Sequence, residues 1–295
     1  MKPARTILSV PGHIKKMHTK ALASQADVIM FDLEDSVPVD MKETARQAIV
    51  QTLSSMGHTE KTVSVRINSV ETPLAYREII GLVEAAGSRI DTIVVPKIND
   101  PGDIHFVSRL LAGIELAHHI DKPVQIEASI ETALGVERVS AIARADRRIK
   151  SLVFGVADYA ESVGARLVSL SGHGDNEDII YPGHRWHYPI SRMVAAAKAN
   201  DLTAIDAPYG DIKDMDALKR SAVMASALGC DGKWVIHPDQ IAVVNQVFTP
   251  AAEDISRARQ ILDAYASAGK KQRGAVSVGG KMVDQATVRL ARKVR

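Results

Sequence analysis

Two carboxylates are placed where they could hold one cation between them. Glu131 closes the apolar run VQIEASIE (124–131), and Asp158 ends the run LVFGVAD (152–158). If the two runs are neighbouring strands, about 4.8 Å apart, their ends could share a hard ion. Mg2+ suits such a pair, because it takes oxygen ligands, keeps several waters and leaves positions for substrate oxygens; Mn2+ accepts the same donors. Both residues also have plainer uses. Asp158 could cap a helix, and Glu131 could be a first-turn acid favoured by the helix dipole. Arg66 sits inside VSVRIN (63–68) between apolar neighbours. Burying it demands a partner, and Glu34 or Asp35 in FDLED (31–35) could supply one. Its planar fork also matches a carboxylate or a developing oxyanion. Glu34 and Asp35 read as supports that hold Arg66 or a metal-bound water.

Other polar strand ends are weaker candidates. Lys97 in VVPK raises the possibility of a Schiff base, set against a simple substrate or carboxylate contact. Asp206 and His237 end two later runs, and His237 reads as a structural hydrogen bond or a substrate contact. His184 and His187 have a spacing that can ligate metal on a helix, but no second His or Cys pair completes a zinc set. The sequence has no GxSxG, no GxGxxG after a strand and no P-loop, so hydrolase-elbow, dinucleotide and nucleotide-triphosphatase readings lack support. Cys230 in ALGCDGKW reads as a small core residue.

What would position these residues is a set of eight short apolar runs: 7–11, 28–35, 63–68, 92–97, 124–131, 152–158, 203–208 and 233–238. Between them lie helical patterns at 16–25, 40–55, 73–86, 101–119, 132–144, 187–200, 214–228 and 239–248. Strands alternating with helices imply a parallel sheet. Eight such units imply a closed (β/α)8 TIM barrel, whose active site lies at the C-terminal ends of the strands. Asp40 with Glu43 predicts a capping box for the second helix, and Pro73 with Gly87 fits the start and stop of the third. The stretch 169–189 has no apolar period and predicts a long loop at the active-site face. A C-terminal extension (251–295) follows the barrel (1–250). It is predicted as a helix over 251–268, a Gly-rich basic linker over 270–280 and a tail that could pack on a neighbouring subunit.

Composition bounds the function. The chain has 295 residues, 46% of them hydrophobic, and a net charge of +2. That suits one barrel with an extension and gives no global field for nucleic acid or a membrane surface. The single cysteine excludes an intrachain disulfide and suggests a reducing compartment. A strand pattern by residue 7 leaves no room for a signal peptide, and no run reaches the length of a membrane span. A cytoplasmic protein is expected.

RTILSVPG (5–12), ADVIMFDLEDSV (26–37), VRIN (65–68), VVPK (94–97), IETALGV (130–136), FGVADY (154–159), IDAPYGDIKD (205–214) and GKWVIHPDQI (232–241) together resemble the citrate lyase β-subunit-like family, the HpcH/HpaI aldolase superfamily. The match runs nearly end to end and in order. Within it, IDAPYGDIKD, GKWVIHPDQI followed by VFTP, and RGAVSVGGKMVD are most similar to the malyl-CoA and β-methylmalyl-CoA lyase branch. The resemblance implies a Mg2+-dependent barrel that cleaves a 3-hydroxyacyl-CoA thioester to a keto acid and an acyl-CoA. It places Glu131 and Asp158 as metal ligands and Arg66 at the reacting carbonyl. Asp284 becomes an acid supplied to a neighbouring subunit's site, in a homotrimer or a dimer of trimers. Lys15, Lys16 and Lys20 fall where the family meets CoA phosphates, Lys20 as the direct match. Thioester hydrolysis, citramalyl-CoA cleavage and a citryl lyase subunit are the alternatives that use the same site. Thr6 and Ser36 depart mildly from the family pattern. The loop at 169–183 follows no member's pattern, which leaves the acyl group open.

Overall fold

The computed structural model describes residues 2–165, 185–269, 275–292 and 294. Eight parallel strands close into a barrel in sequential order: β1 (Thr6–Pro11), β2 (Val28–Asp32), β3 (Thr62–Arg66), β4 (Thr92–Val95), β5 (Gln125–Ile130), β6 (Ile149–Phe154), β7 (Thr203–Asp206) and β8 (Gly232–Val235). Closure comes from β1 pairing with β8, with Thr6 opposite Lys233 and Leu8 opposite Val235. The expected (β/α)8 fold is therefore the observed one. The strands are nearly all buried because each is covered on both faces. Ile7, Val28, Met30, Val94, Val153, Ile205 and Trp234 fill one apolar cluster. A larger cluster, including Phe31, Ile49, Leu82, Leu111, Phe154 and Met193, joins strands to helices.

The helices of the barrel unit are α1 (Lys15–Leu22), α2 (Lys42–Ser55), α3 (Ala75–Ala86), α4 (Pro101–Ala117), α5 (Ala133–Ile142), α6 (Val156–Ser162), α7 (His187–Lys198), α8 (Met215–Leu228) and α9 (Gln240–Phe248). Several begin with a side-chain cap just past a strand end. Asp100 and Asp103 form a capping box on α4, with Pro101 opening the helix. Thr132 accepts from Gly135 N at 2.9 Å to start α5, and Asp214 accepts from Ala217 N at 2.9 Å to start α8. Such caps satisfy amides that the helix leaves open.

The capping box expected at Asp40 does not form. Asp40 lies within a single 3-10 turn (Val39–Met41), and α2 starts at Lys42 without a side-chain cap. Glu43 turns outward to Arg46 instead, at 2.6 Å. Pro73 precedes α3 by two residues, with Leu74 as the N-cap, so it lies outside the helix rather than opening it. The expected loop 169–189 overlaps α7, which begins at His187; its residues 169–184, His184 among them, lie outside the described residues.

The chain divides into two compact units, Met1–Phe248 and Thr249–Arg295. The second holds α10 (Ala252–Gly269), an antiparallel hairpin of β9 (Val276–Val278) and β10 (Lys281–Val283), and α11 (Gln285–Ala291). The hairpin corrects the expected Gly-rich linker over its described residues. Gly279 and Gly280 both have positive φ, 56° and 75°, the geometry that a two-residue hairpin turn needs and that glycine adopts freely. Among the described residues no helix is long and apolar enough to cross a membrane.

Candidate active site

The C-terminal ends of the strands surround a cavity of about 630 Å³, lined by Ser9, Asp35, Arg66, Glu131, Asp158 and Trp234, with residues 208–213 along one side. Arg66 is the last residue of β3 and stands in register with Asp32, the last of β2. The side chains of registered parallel partners share a face, so the pair meets inside the barrel mouth. Arg66 Nε and Nη2 donate to the two Asp32 oxygens at 2.6 and 2.7 Å. Its third nitrogen, Nη1, lies 2.8 Å from Glu34 Oε2 and 3.5 Å from Asp35 Oδ2. Burial opposes the charge on the guanidinium, but Asp32, Glu34 and Asp35 outweigh it, so Arg66 is held charged. Burial likewise penalises Asp32, yet Arg66 holds its carboxyl below the usual range. The Arg66 guanidinium carbon lies 5.5 Å from the centre of the Trp234 ring, within cation–π range.

Glu131 follows β5 directly and is 3% exposed. Its Oε1 accepts the Lys97 backbone N–H at 2.7 Å. Gly155, which follows β6, packs so closely that a Cβ there would lie 2.1 Å from Glu131 Oε2. Burial, then the charges of Asp158 and Glu34, push the Glu131 carboxyl up to about 8. Asp158 lies in the first turn of α6, three residues past its N-cap Gly155, so it is not the cap that its spacing allowed. Glu131 precedes the Thr132 cap and is not a first-turn acid.

These two carboxylates fit a magnesium-type ion by the chemistry of the donor set. At Glu131 burial and the charges of Asp158 and Glu34 outweigh those of Arg66 and Lys97, and a divalent cation would offset them. Among the described residues no group of three or more His, Cys, Asp or Glu converges as a metal cluster; two carboxylates alone would leave positions for water and substrate.

Lys97 reaches this group from β4. Its Nζ lies 2.6 Å from Glu34 Oε1 and 3.3 Å from Asp158 Oδ1. Burial disfavours its charge, but the Glu34 hydrogen bond and the charges of Glu34, Glu131 and Asp158 prevail and keep it protonated. A Schiff-base lysine needs the opposite shift, which counts against that alternative.

Not every polar strand end reaches the cavity. Asp206 is paired with the fully buried Lys233, whose Nζ lies 2.5 Å from Asp206 Oδ2 and 3.0 Å from Ser221 Oγ on α8. That pair ties β7 and β8 to a helix. His237 lies 3.4 Å from Asp239 at the start of α9 and is half exposed. Lys15, Lys16 and Lys20 are exposed on α1 and do not line the cavity; Lys15 donates to Gln51 at 2.5 Å. Cys230 is a buried thiol pushed up by burial and by Asp206, consistent with a core role. Asp284 lies in the second unit and caps α11, with its Oδ1 accepting from Ala286 N, Thr287 N and Thr287 Oγ1 at 2.9, 3.0 and 3.1 Å. The Thr287 bonds hold its carboxyl below the usual range.

Sequence reasoning missed three residues of this site. Asp32 could have been found from the expected adjacency of β2 and β3, which sets it level with Arg66. Trp234 and Gly155 carried no signal beyond membership of their runs.

A family profile described as HpcH/HpaI aldolase/citrate lyase matches residues 5–238. The chain belongs to that family. It is similar to the L-malyl-CoA/beta-methylmalyl-CoA lyase of Cereibacter sphaeroides, with 37% identity over 98% of this chain and 93% of the relative. It is also similar to the mitochondrial citramalyl-CoA lyase of Rattus norvegicus, with 32% identity over 99% and 85% of the two chains. Among solved structures, protein CitE from Mycobacterium tuberculosis, in complex with magnesium, acetoacetate and coenzyme A, superposes with a TM-score of 0.78. It is 28% identical, and the match covers 99% of this chain and 97% of that one.

Proposed function

We propose that this family member is a Mg2+-dependent carbon–carbon lyase that cleaves or forms a 3-hydroxyacyl-CoA. Malyl-CoA or β-methylmalyl-CoA would yield glyoxylate with acetyl-CoA or propionyl-CoA. One observation carries the reading: a buried, charge-crowded Glu131 just past β5 beside Asp158 in the first turn of α6, with the charged fork of Arg66 lining the same cavity. The two lyase relatives and the magnesium- and CoA-bound structural neighbour support it.

Glu131 and Asp158 would hold the ion, which supplies Lewis-acid polarisation and a template for the hydroxyl and carboxylate oxygens of the substrate. In cleavage the substrate hydroxyl gives its proton to solvent water and becomes the carbonyl of the keto acid, while the bond between that carbon and the acyl α-carbon breaks. The electron pair moves toward the thioester carbonyl, which takes on enolate charge. Arg66 is already oriented by Asp32, so it can meet that oxygen without reorganising. Asp284 of a neighbouring chain would protonate the α-carbon in cleavage and remove the proton in condensation. The α11 cap uses only its Oδ1 and favours the ionised carboxylate, the form that condensation requires. This role requires an oligomer, which we take to be a trimer or a dimer of trimers. The lysines at 15, 16 and 20 would meet CoA phosphates.

The test is an assay of the purified protein with malyl-, methylmalyl- and citramalyl-CoA, following keto acid and free CoA separately. Keto acid without free CoA is expected from the first two substrates. Free CoA as the main product would replace the lyase with a thioesterase, and turnover confined to citramalyl-CoA would reassign the substrate.

A further inference from the structure

Lys97 touches both proposed metal carboxylates with two different groups. Its backbone N–H donates to Glu131 Oε1 at 2.7 Å, and its ammonium lies 3.3 Å from Asp158 Oδ1. Its φ is 54°, a left-handed conformation uncommon outside glycine. The first contact is part of the backbone and stays fixed. The second ends a flexible four-carbon stem and can move. The ammonium has a stronger anchor at Glu34 Oε1, 2.6 Å away. Arg66, the other cation of the cluster, holds Asp32 through two hydrogen bonds and reaches Glu34 with its third nitrogen at 2.8 Å. Among the described residues, Lys97 is the cation in ion-pair contact with Asp158.

We propose that the Lys97 ammonium is a tethered counter-ion: it pairs with Glu34 and Asp158 in the metal-free protein, leaves Asp158 for Glu34 when a divalent cation arrives, and so sets how tightly that cation is held. The proposal rests on Glu131 and Asp158 being the metal's carboxylates. An ammonium and a divalent cation cannot share one Asp158 oxygen, because like charges at such a distance repel strongly in a half-buried site. Binding the metal therefore includes breaking the contact between Lys97 and Asp158. Lys97 is a positioning residue in this account; it tunes the site without touching the reacting atoms.

Mn2+ titration of the metal-free full chain, read by the electron spin resonance signal of the free ion, tests this directly. Lys97→Met keeps the stem and the backbone N–H but removes the charge, and it should bind Mn2+ roughly tenfold or more tightly than wild type. Lys97→Arg keeps the charge and should stay within about threefold of wild type. Metal-free Lys97→Met should also melt lower than wild type, with the gap closed by saturating Mn2+. An unchanged or weakened Mn2+ affinity in Lys97→Met overturns the counter-ion role, and Lys97→Gln is read the same way should the Met variant fail to fold. Glu131→Gln separates the two levels of the argument. If it leaves Mn2+ binding intact, the carboxylate assignment is wrong and the counter-ion role falls with it. If it abolishes binding while Lys97→Met binds like wild type, only the counter-ion role is lost.

Discussion

Gly155→Ala should damage the metal site through packing alone. The backbone there has φ −104° and ψ 100°, which alanine adopts without strain, so any effect must come from the added methyl group. That carbon would lie 2.1 Å from Glu131 Oε2 and 2.5 Å from Glu131 Cβ, where ordinary contact begins at 3.4 Å. The carboxyl oxygen must retreat by roughly 1.3 Å and the Cβ by roughly 0.9 Å. A rotamer change can move the oxygen but not the Cβ, so the ends of β5 and β6 must also separate. They are joined there by Gly155 N donating to Ile130 O at 3.3 Å. Overpacking of this kind costs about 1–3 kcal/mol, a fall in melting temperature of roughly 2–5 °C for a chain of this size. Displacing a ligand on that scale should weaken Mg2+ binding about 10–100-fold. Calorimetric titration of Mg2+ and thermal melts, both on the purified variant, measure the two effects. Pairing Gly155→Ala with Glu131→Asp, which shortens the crowded side chain, should recover part of the stability, as expected for residues in contact. Metal affinity within twofold of wild type together with an unchanged melting temperature would refute the claim that Gly155 shapes the Glu131 carboxyl.

Arg66→Lys should keep metal binding but lower kcat about 10²–10³-fold, because a single ammonium cannot hold Asp32 bidentately and still face the enolate oxygen; wild-type turnover would remove Arg66 from the chemistry. In the metal-free protein the folded Glu131 carboxyl titrates near 8 against an ordinary 4.5. The folded state therefore binds the proton more tightly than the unfolded chain across that window, and stability should fall as pH rises from about 4.5 to 8. Urea melts in chelator at pH 5 and pH 9 should show wild type losing a few kcal/mol that Glu131→Gln does not lose; identical pH slopes would contradict the assignment. Asp284→Ala should cut turnover by about 10²–10⁴ while Mg2+ still binds, and an unaffected rate would leave Asp284 with its helix cap as its only role.

The barrel was legible because its strands are buried on both faces and read as unbroken apolar runs. The polar residues that end those runs fall at the site-bearing face for the same reason. Which of them converge was only partly legible. Glu131, Asp158 and Arg66 share one cavity, as their strand positions suggested. Asp206, at an equally promising strand end, points the other way to Lys233 and Ser221. A short strand shows its residues but not which face its last side chain takes. Asp32 was hidden by its more exposed neighbours Glu34 and Asp35, since pairing with Arg66 depends on β2–β3 register. The tightness of Gly155 and the left-handed turn at Lys97 depend on strand approach and backbone angles, which composition and period do not encode.

Trp234 gives the site an optical handle. The chain has two tryptophans, Trp234 beneath the Arg66 guanidinium and Trp186, which packs 6.0 Å from Tyr159. Replacing Trp186 with Phe would leave one indole, and that indole lines the cavity. Its emission depends on the charges near its ring, so ion or thioester arrival in the cavity becomes a fluorescence change on the stopped-flow timescale, with no label attached.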